Sequence, residues 1–156
     1  MRFVAIGLMA ILLAGCAHDR VPRGGETISL STTRCFGTCP VYTVTLSPDG
    51  QGIFDGQQFT AVTGERRFQA TPEQVRAFTQ ALAKVRPEGD RKIEPGTPDC
   101  PMIVTDMPST NIRWQGAGGA SSLNFYGGCG RENPKIADTL RAAPGLLPIG
   151  DFIGRR

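Results

Sequence analysis

The chain begins with a segment that is suited to export and not to folding. Met1-Arg2-Phe3 supplies one positive charge, Val4 to Leu13 is almost wholly apolar, and small residues follow. A charged start, a short apolar core and a small-residue cleavage site are typical of a secretory signal peptide. The apolar run is about half of the roughly 20 residues that a transmembrane helix needs. We therefore predict that residues 1–15 are removed and that the rest of the chain folds in an oxidising compartment.

The end of the apolar run indicates how the exported chain is held. Leu13-Ala14-Gly15-Cys16 resembles the lipobox of bacterial lipoproteins, in which the cysteine is acylated and becomes the first residue of the mature chain. The resemblance implies a stable anchor on Cys16, because each buried CH2 of an acyl chain contributes about 0.8 kcal/mol. An ordinary secreted protein with a cysteine at its cleavage site is the alternative. Ala17 stands where an aspartate would, by resemblance to Gram-negative sorting, favour inner-membrane retention. We therefore predict an outer-membrane location facing the periplasm.

Composition limits the organisation and the partners of the mature chain. Residues 16–25 contain Pro and Gly without periodicity, which favours a lipidated tether, and residues 26–156 are long enough for a single domain with a core. The formal net charge is +3 for the full chain and about +2 once Arg2 is removed with the signal peptide. The basic residues are scattered, and even Arg66-Arg67 does not belong to a stripe that could follow a phosphate backbone. We predict a membrane partner through the lipid and an envelope protein partner, but no nucleic acid.

Four cysteines remain once Cys16 is assigned to lipid: Cys35, Cys39, Cys100 and Cys129. An even number of cysteines in an oxidising compartment predicts two disulfides. Spacing alone does not choose among the three connectivities. We favour Cys35–Cys39 together with Cys100–Cys129, because the first two flank Phe36-Gly37-Thr38, a stretch short enough to close as a small loop. The crossed pairings remain open.

Two other uses of these cysteines are less consistent with the spacing. Cys35 and Cys39 could form one half of a tetrahedral zinc site, but Cys100 and Cys129 are too far apart in sequence to form the other half. We therefore predict neither a metal nor a cofactor. Reactive dithiols usually occur as Cys-x-x-Cys at the start of a helix, whereas this spacing is one residue longer and leads into a strand. A thiol/disulfide enzyme, or another enzyme, that acts through the small loop is our alternative function.

Other catalytic arrangements find little support. His18 is the only histidine and lies in the tether, which argues against a Ser-His-Asp or Cys-His site. Glycosidases need two carboxylates about 5 to 10 Å apart across a cleft, and the aspartates show no pattern that indicates such a pair. We therefore predict no catalytic residue. The favoured function is a non-enzymatic binding or structural module of the cell envelope.

Hydrophobic alternation predicts a β-rich domain. The segments that we expect as strands are Thr27–Ser31, Val41–Leu46, Gly52–Asp55, Phe59–Phe68 with Gly64 as a candidate break, Asn111–Gln115 and Ser121–Tyr126. Ser47-Pro48-Asp49-Gly50 is a strong turn signal between the second and third of them. From Pro87 to Pro101 we expect a long polar connection.

The period changes to that of a helix after Thr71. Thr71 suits the N-cap, with Pro72 at the first helical position and Gln74 as the second half of a capping box. Val75, Phe78, Leu82 and Val85 follow on one stripe, and Arg86-Pro87 should stop the helix. A shorter helix is expected from Asn133-Pro134 through Leu140. The predicted fold class is α+β, an antiparallel sheet of about five or six strands with two helices on one face.

Arg34-Cys35-Phe36-Gly37-Thr38-Cys39-Pro40-Val41-Tyr42 resembles the signature of DUF6438, a bacterial family of unknown function. Members carry Cys-Phe-Gly-x-Cys-Pro-x-Tyr before a strand and an Asp-Gly turn, and later a Thr-Asp-x-Pro segment. The chain has Asp49-Gly50 and Thr105-Asp106-Met107-Pro108 in that order, so the resemblance covers about residues 26–142. Many relatives have the first cysteine pair alone, which implies that Cys35–Cys39 closes as its own bridge. The resemblance supports the fold and implies no activity.

Aromatic side chains suggest where a partner could bind. Phe36 lies at the tip of the small loop, and an aromatic side chain held out on a disulfide loop is a suitable contact point. We therefore predict a contact surface made of Phe36, Gly37 and Tyr42. Phe125 and Tyr126 are adjacent on a strand, so their side chains must point to opposite faces, and one of them should lie away from the core.

Overall fold

Seven strands and three helices form the part of the chain that the structure, a computed structural model, describes: residues 25–102 and 104–154. The signal peptide, Cys16, His18 and most of the tether lie outside these residues. The strands are β1 (Thr27–Thr32), β2 (Val41–Leu46), β3 (Gln51–Gln58), β4 (Gly64–Gln69), β5 (Asp90–Ile93), β6 (Ser109–Gly116) and β7 (Gly119–Tyr126). The helices are α1 (Pro72–Ala83), α2 (Pro134–Ala142) and α3 (Gly150–Ile153), with 3-10 turns at Gly127–Cys129 and Ala143–Leu146.

All seven strands belong to one sheet, in the order β4-β3-β2-β1-β6-β7-β5. Every neighbouring pair is antiparallel except β5 and β7, which are parallel. The α+β class is therefore confirmed, and the expectation of an antiparallel sheet of about five or six strands with two helices was close but not exact. The sheet is mixed, it has one strand more than the upper expectation, and the short α3 is a third helix.

Strand β5 was not predicted, because it lies within the segment that we expected to be a polar connection. Only Ile93 of its four residues is buried, so the segment shows no alternation. Strand β5 lies at the edge of the sheet, so β7 is its one neighbour. The two strands pair from Asp90↔Ser122 to Ile93↔Phe125. The strand expected over Phe59–Phe68 exists only from its candidate break onward, because β4 begins at Gly64. Phe59 lies in the preceding loop and has a positive φ of 54°.

Alternation along the central strands produces a single core. Leu30 lies opposite Val44 on one side and Ile112 on the other, and Ile112 lies opposite Leu123. All four are buried in the same cluster as Phe78 and Leu82 of α1 and Leu140 of α2. Each large apolar side chain buried there stabilises the fold by about 1.5–3 kcal/mol. The helices thus pack against one face of the sheet.

Helix α1 has the predicted capping box. The Thr71 hydroxyl accepts the N–H of Gln74 at 3.3 Å, and the Gln74 side chain accepts the N–H of Thr71 at 2.9 Å. Hydrogen bonds from the main chain of Glu73 and from Thr71 lower the pKa of the Glu73 carboxyl. The helix ends at Ala83, before the predicted stop at Arg86-Pro87.

Candidate functional site at one end of the sheet

The register of the strands brings three connections to the same end of the sheet. Thr32 pairs with Thr110, Val41 with Gln58, and Ser109 with Tyr126. The β1–β2 loop, the β3–β4 loop and the connection from β5 to β6 therefore emerge together. We call this the cysteine-loop end, because it contains the Cys35–Cys39 loop. At the opposite end β1 begins at Thr27, so we call that the N-terminal end.

The β1–β2 loop holds the first cysteine pair. Cys35 and Cys39 lie at disulfide distance, with their Cα atoms 5.8 Å apart, which is within the usual range for a bridge. Gly37 has a φ of 144°, which a residue with a side chain would rarely adopt. Phe36 is 89% exposed at the tip. The closed loop thus presents an aromatic ring to solvent on a short, constrained support.

Main-chain hydrogen bonds fix this loop against the Thr105–Pro108 segment. The N–H of Phe36 donates to the main-chain oxygen of Asp106 at 3.1 Å. Thr33 donates its N–H to the oxygen of Ser109 at 2.9 Å, and the N–H of Ser109 donates to the Thr33 hydroxyl at 2.8 Å. On the other side, Met107 donates its N–H to the Tyr126 hydroxyl at 3.1 Å. Two motifs that are about 70 residues apart in sequence therefore form one surface.

The second cysteine pair holds the β5–β6 connection to the core. Cys100 and Cys129 lie at disulfide distance, with Cα atoms 5.3 Å apart, and both are completely buried. The bridge joins the β5–β6 connection to the 3-10 turn that follows β7. Asn133 adds a hydrogen bond of 2.8 Å from its side-chain amide to the oxygen of Asp99. The arrangement is the favoured one of the three possible connectivities.

Large exposed apolar side chains concentrate at the cysteine-loop end. Within residues 25–102 and 104–154 they are Phe36, Phe59, Met102, Val104 and Met107. Phe36 lies in the β1–β2 loop, Phe59 directly follows β3, and the other three lie in the β5–β6 connection. Of these five residues, Phe36 alone was predicted from the sequence as a contact residue. The signal that was available is the presence of apolar residues in segments rich in Pro, Gly and polar residues.

Tyr42 is not part of this surface, which corrects our prediction for this residue. It is 5% exposed and stacks on Phe54 with ring centroids 5.3 Å apart. Its N–H donates to the Thr32 hydroxyl at 3.2 Å, and that hydroxyl donates to the oxygen of Pro40 at 2.8 Å. Tyr42 therefore supports the loop from the core, whereas Phe36 and Gly37 are exposed. Of the adjacent pair on β7, Phe125 is buried and Tyr126 is partly exposed.

The aspartates have separate local roles. Asp49 accepts the N–H of Gln51 at 3.0 Å in the β2–β3 turn, at the N-terminal end. Asp99 forms an ion pair of 2.8 Å with Arg91. The carboxylate of Asp106 accepts the Thr105 hydroxyl at 3.0 Å. Within the described ranges no three His, Cys, Asp or Glu side chains converge, and no helix there is long and apolar enough to cross a bilayer.

Comparison with known proteins identifies the family. The model of the family described as "Domain of unknown function (DUF6438)" matches residues 26–145, which includes both motifs of the cysteine-loop end and every strand. Searches among curated proteins and among solved structures returned no match. The matched region covers most of the chain, and the protein belongs to the DUF6438 family.

Proposed function

We propose that the protein is a lipid-anchored, non-enzymatic binding module of the cell envelope. Cys16 would anchor it in the outer membrane facing the periplasm, and the cysteine-loop end would contact a protein partner. The observation that carries the proposal is the position of the exposed apolar side chains. They lie at the end of the sheet opposite to the start of β1, where the chain arrives from the tether.

This placement suits a protein that is held by its N-terminus. Strand β1 has six residues, so it separates the two ends of the sheet by about 20 Å at roughly 3.3 Å per residue. A tether over residues 16–25 adds up to about 35 Å when extended. The anchor would therefore leave the apolar side chains free to face away from the membrane. A surface directed at the bilayer would instead be expected beside Thr27.

The chemistry of the surface favours a protein partner with an apolar pocket. Aromatic side chains are frequent anchors of protein interfaces, and a constrained loop loses little entropy when it binds. Phe36 meets both conditions. Arg34 is exposed beside it and has no ion-pair partner among the described residues. An acidic side chain at the rim of the partner's pocket would complement this charge.

A thiol/disulfide function is the second candidate, and one observation favours it. Cys35 and Cys39 are partly exposed, unlike the buried second pair. Against it, Cys39 is followed by Pro40 and a strand, whereas the usual reactive dithiol lies at the start of a helix. If this function is correct, the Cys35–Cys39 bridge should exchange with a dithiol substrate. In a Cys35→Ser variant, the free Cys39 thiol should attack the disulfide form of that substrate, release one substrate thiol and remain trapped as a mixed disulfide. A purely structural bridge should trap none.

The anchor and the contact surface require separate experiments. Cys16→Ser should leave an unprocessed or soluble form, and unchanged mass and membrane fractionation would contradict the anchor. For the contact surface, the intact protein is isolated from cross-linked envelope, and Phe36→Ser should lose the partner that the wild type retains. Gln115→Ser, an exposed change at the N-terminal end, should retain it. Equal recovery of the partner with the wild type, Phe36→Ser and Gln115→Ser would contradict the proposed contact.

A further inference from the structure

The face of the sheet opposite the helices is polar along a continuous row. Residues that pair across the seven strands in one register form this row: Glu65, Asp55, Thr43, Ser31, Asn111, Asn124 and Lys92. A second row runs beside it: Arg67, Ile53, Thr45, Ser29, Arg113, Ser122 and Asp90. Side chains at alternate positions of a strand share a face, so both rows lie on what we call the open face.

Arg113 lies near the middle of the open face and has no hydrogen-bond or ion-pair partner in residues 25–102 and 104–154. Its cross-strand neighbours are Ser29 on β1 and Ser122 on β7. The next carboxylate along this row is that of Asp90, two strands away, or about 10 Å at the usual strand spacing. Asp90 already accepts the Ser122 hydroxyl at 2.7 Å. The guanidinium of Arg113 therefore remains available to an external anion.

Polar groups around Arg113 have unused hydrogen-bonding capacity. The Ser29 hydroxyl accepts that of Thr45 at 3.3 Å, which leaves the Ser29 proton free to donate. The Asn124 amide donates to the side-chain oxygen of Asn111. The amide hydrogens of Asn111 and the side-chain oxygen of Asn124 therefore remain free. The site thus combines one cation with hydroxyl and amide groups that can both donate and accept.

These side chains border a shallow depression of about 320 Å³ on the open face. Its lining includes Ser29, Ser31, Asn111, Arg113, Ser122 and Asn124. The volume is at the lower end of the range for small-molecule sites, about 300–1,000 Å³. We propose that this depression binds an acidic saccharide, with the sugar carboxylate on Arg113 and the sugar hydroxyls on the serine and asparagine side chains.

The geometry favours a saccharide carboxylate over other anions. The planar guanidinium matches the carboxylate of one sugar unit with two parallel hydrogen bonds. Peptides usually bind to sheets by adding a strand at an edge, whereas the depression lies between β1 and β7 inside the sheet. The main-chain groups there already pair within the ladder, so only the short polar side chains are available. Such side chains match a ligand rich in hydroxyls.

Isothermal titration calorimetry tests the proposal. Each probe is titrated into the purified full chain in detergent. The probes are trigalacturonate, neutral maltotriose and triglutamate. Trigalacturonate should bind at least about tenfold more tightly than either of the others. Arg113→Gln should weaken the binding of trigalacturonate by about tenfold or more, because a charge-assisted pair is lost. Asn111→Ala should weaken it severalfold. Arg131→Gln, a matched change at an exposed arginine outside the open face, should have no effect.

Several outcomes would overturn the proposal. Undetectable binding of trigalacturonate at millimolar concentration would do so, as would equal binding to wild type and Arg113→Gln. Triglutamate binding as tightly as trigalacturonate would assign the site to an acidic peptide instead. Phe36→Ser should bind trigalacturonate like the wild type, so this test and that of the cysteine-loop end can fail independently.

Discussion

The main-chain N–H of Phe36 donates to the main-chain oxygen of Asp106 at 3.1 Å, and Asp106 makes this contact with a positive φ of 69°. Most residues avoid the left-handed region, whereas Asp and Asn enter it at low cost. The conformation of Asp106 therefore helps to position the loop that displays Phe36. This backbone conformation is a physical reason for an Asp in the Thr-Asp-x-Pro segment. It directs the main-chain oxygen of Asp106 to the N–H of Phe36 in the Cys35–Cys39 loop.

Asp106 allows a matched pair of substitutions. Asp106→Asn should be tolerated, because Asn adopts the same backbone conformation and can still accept from Thr105. Asp106→Val should cost about 1–2 kcal/mol, since a β-branched residue is strained in this region. Hydrogen exchange of the Phe36 amide measures the local effect. It should accelerate in Asp106→Val and remain slow in Asp106→Asn, and equal exchange in both would contradict the backbone argument.

The two bridges should contribute differently to stability. In the chain-entropy model, closing the loop between Cys100 and Cys129 stabilises by about 3.5 kcal/mol, and closing that between Cys35 and Cys39 by about 2 kcal/mol. Replacing Cys100 and Cys129 by Ala should therefore lower the melting temperature more than replacing Cys35 and Cys39. Thermal unfolding of both double variants measures the order. The reverse order would mean that the small loop contributes more to the fold than its length indicates.

The two bridges should also differ in their access to reductant. Cys35 and Cys39 are partly exposed, whereas Cys100 and Cys129 are completely buried. Mild reductant followed by alkylation should label the first pair in the folded protein, and the second pair only after unfolding. Mass spectrometry of the labelled peptides distinguishes the cases. Reactive thiols in the unreduced protein under denaturing conditions would instead contradict the presence of two disulfides.

Arg86 connects the N-terminal end of the sheet to the end of α1. Its guanidinium donates to the buried Ser121 hydroxyl at 2.9 Å, pairs with Glu26 at 2.7 Å and lies 5.7 Å from the ring centroid of Trp114. Arg86→Met should therefore lower the free energy of unfolding by about 1–3 kcal/mol, because Ser121 and Glu26 lose their partner.

Arg76 provides the control for Arg86. It pairs with Glu73 one turn earlier on α1, and both side chains are largely exposed. Exposed pairs contribute little, so Arg76→Met should leave the denaturant midpoint unchanged. Arg86→Met and Arg76→Met could instead lower the free energy of unfolding by similar amounts. That result would show that the contacts of Arg86 with Ser121 and Trp114 do not stabilise the fold.

Elements with local signals could be predicted from the sequence, and those that depend on distant partners could not. The capping box at Thr71 and the turn at Asp49-Gly50 are specified by neighbouring residues, and both are present. Strand β5 is different, because its polar residues become a strand only through pairing with β7. The parallel pair could not be inferred for the same reason.

The candidate site follows the same division. Exposure of Phe36 followed from the short cysteine loop, because the loop cannot bury a residue at its own tip. Alternation places Tyr42 on the same face as Val44 and Leu46, so periodicity already indicated its burial, and only its contact with Phe54 depends on the next strand. The gathering of Phe59 and Met107 at the same end required the strand register.

Site-specific photocrosslinking in intact cells tests the proposed contact most directly. A photoreactive phenylalanine analogue replaces Phe36 in one variant and Gln115, at the N-terminal end, in the other. Both side chains are exposed, so the two variants should fold alike. The proposed function predicts a discrete crosslinked product from position 36 and none of the same mass from position 115. The same product from both positions, or a product from position 115 alone, would contradict it.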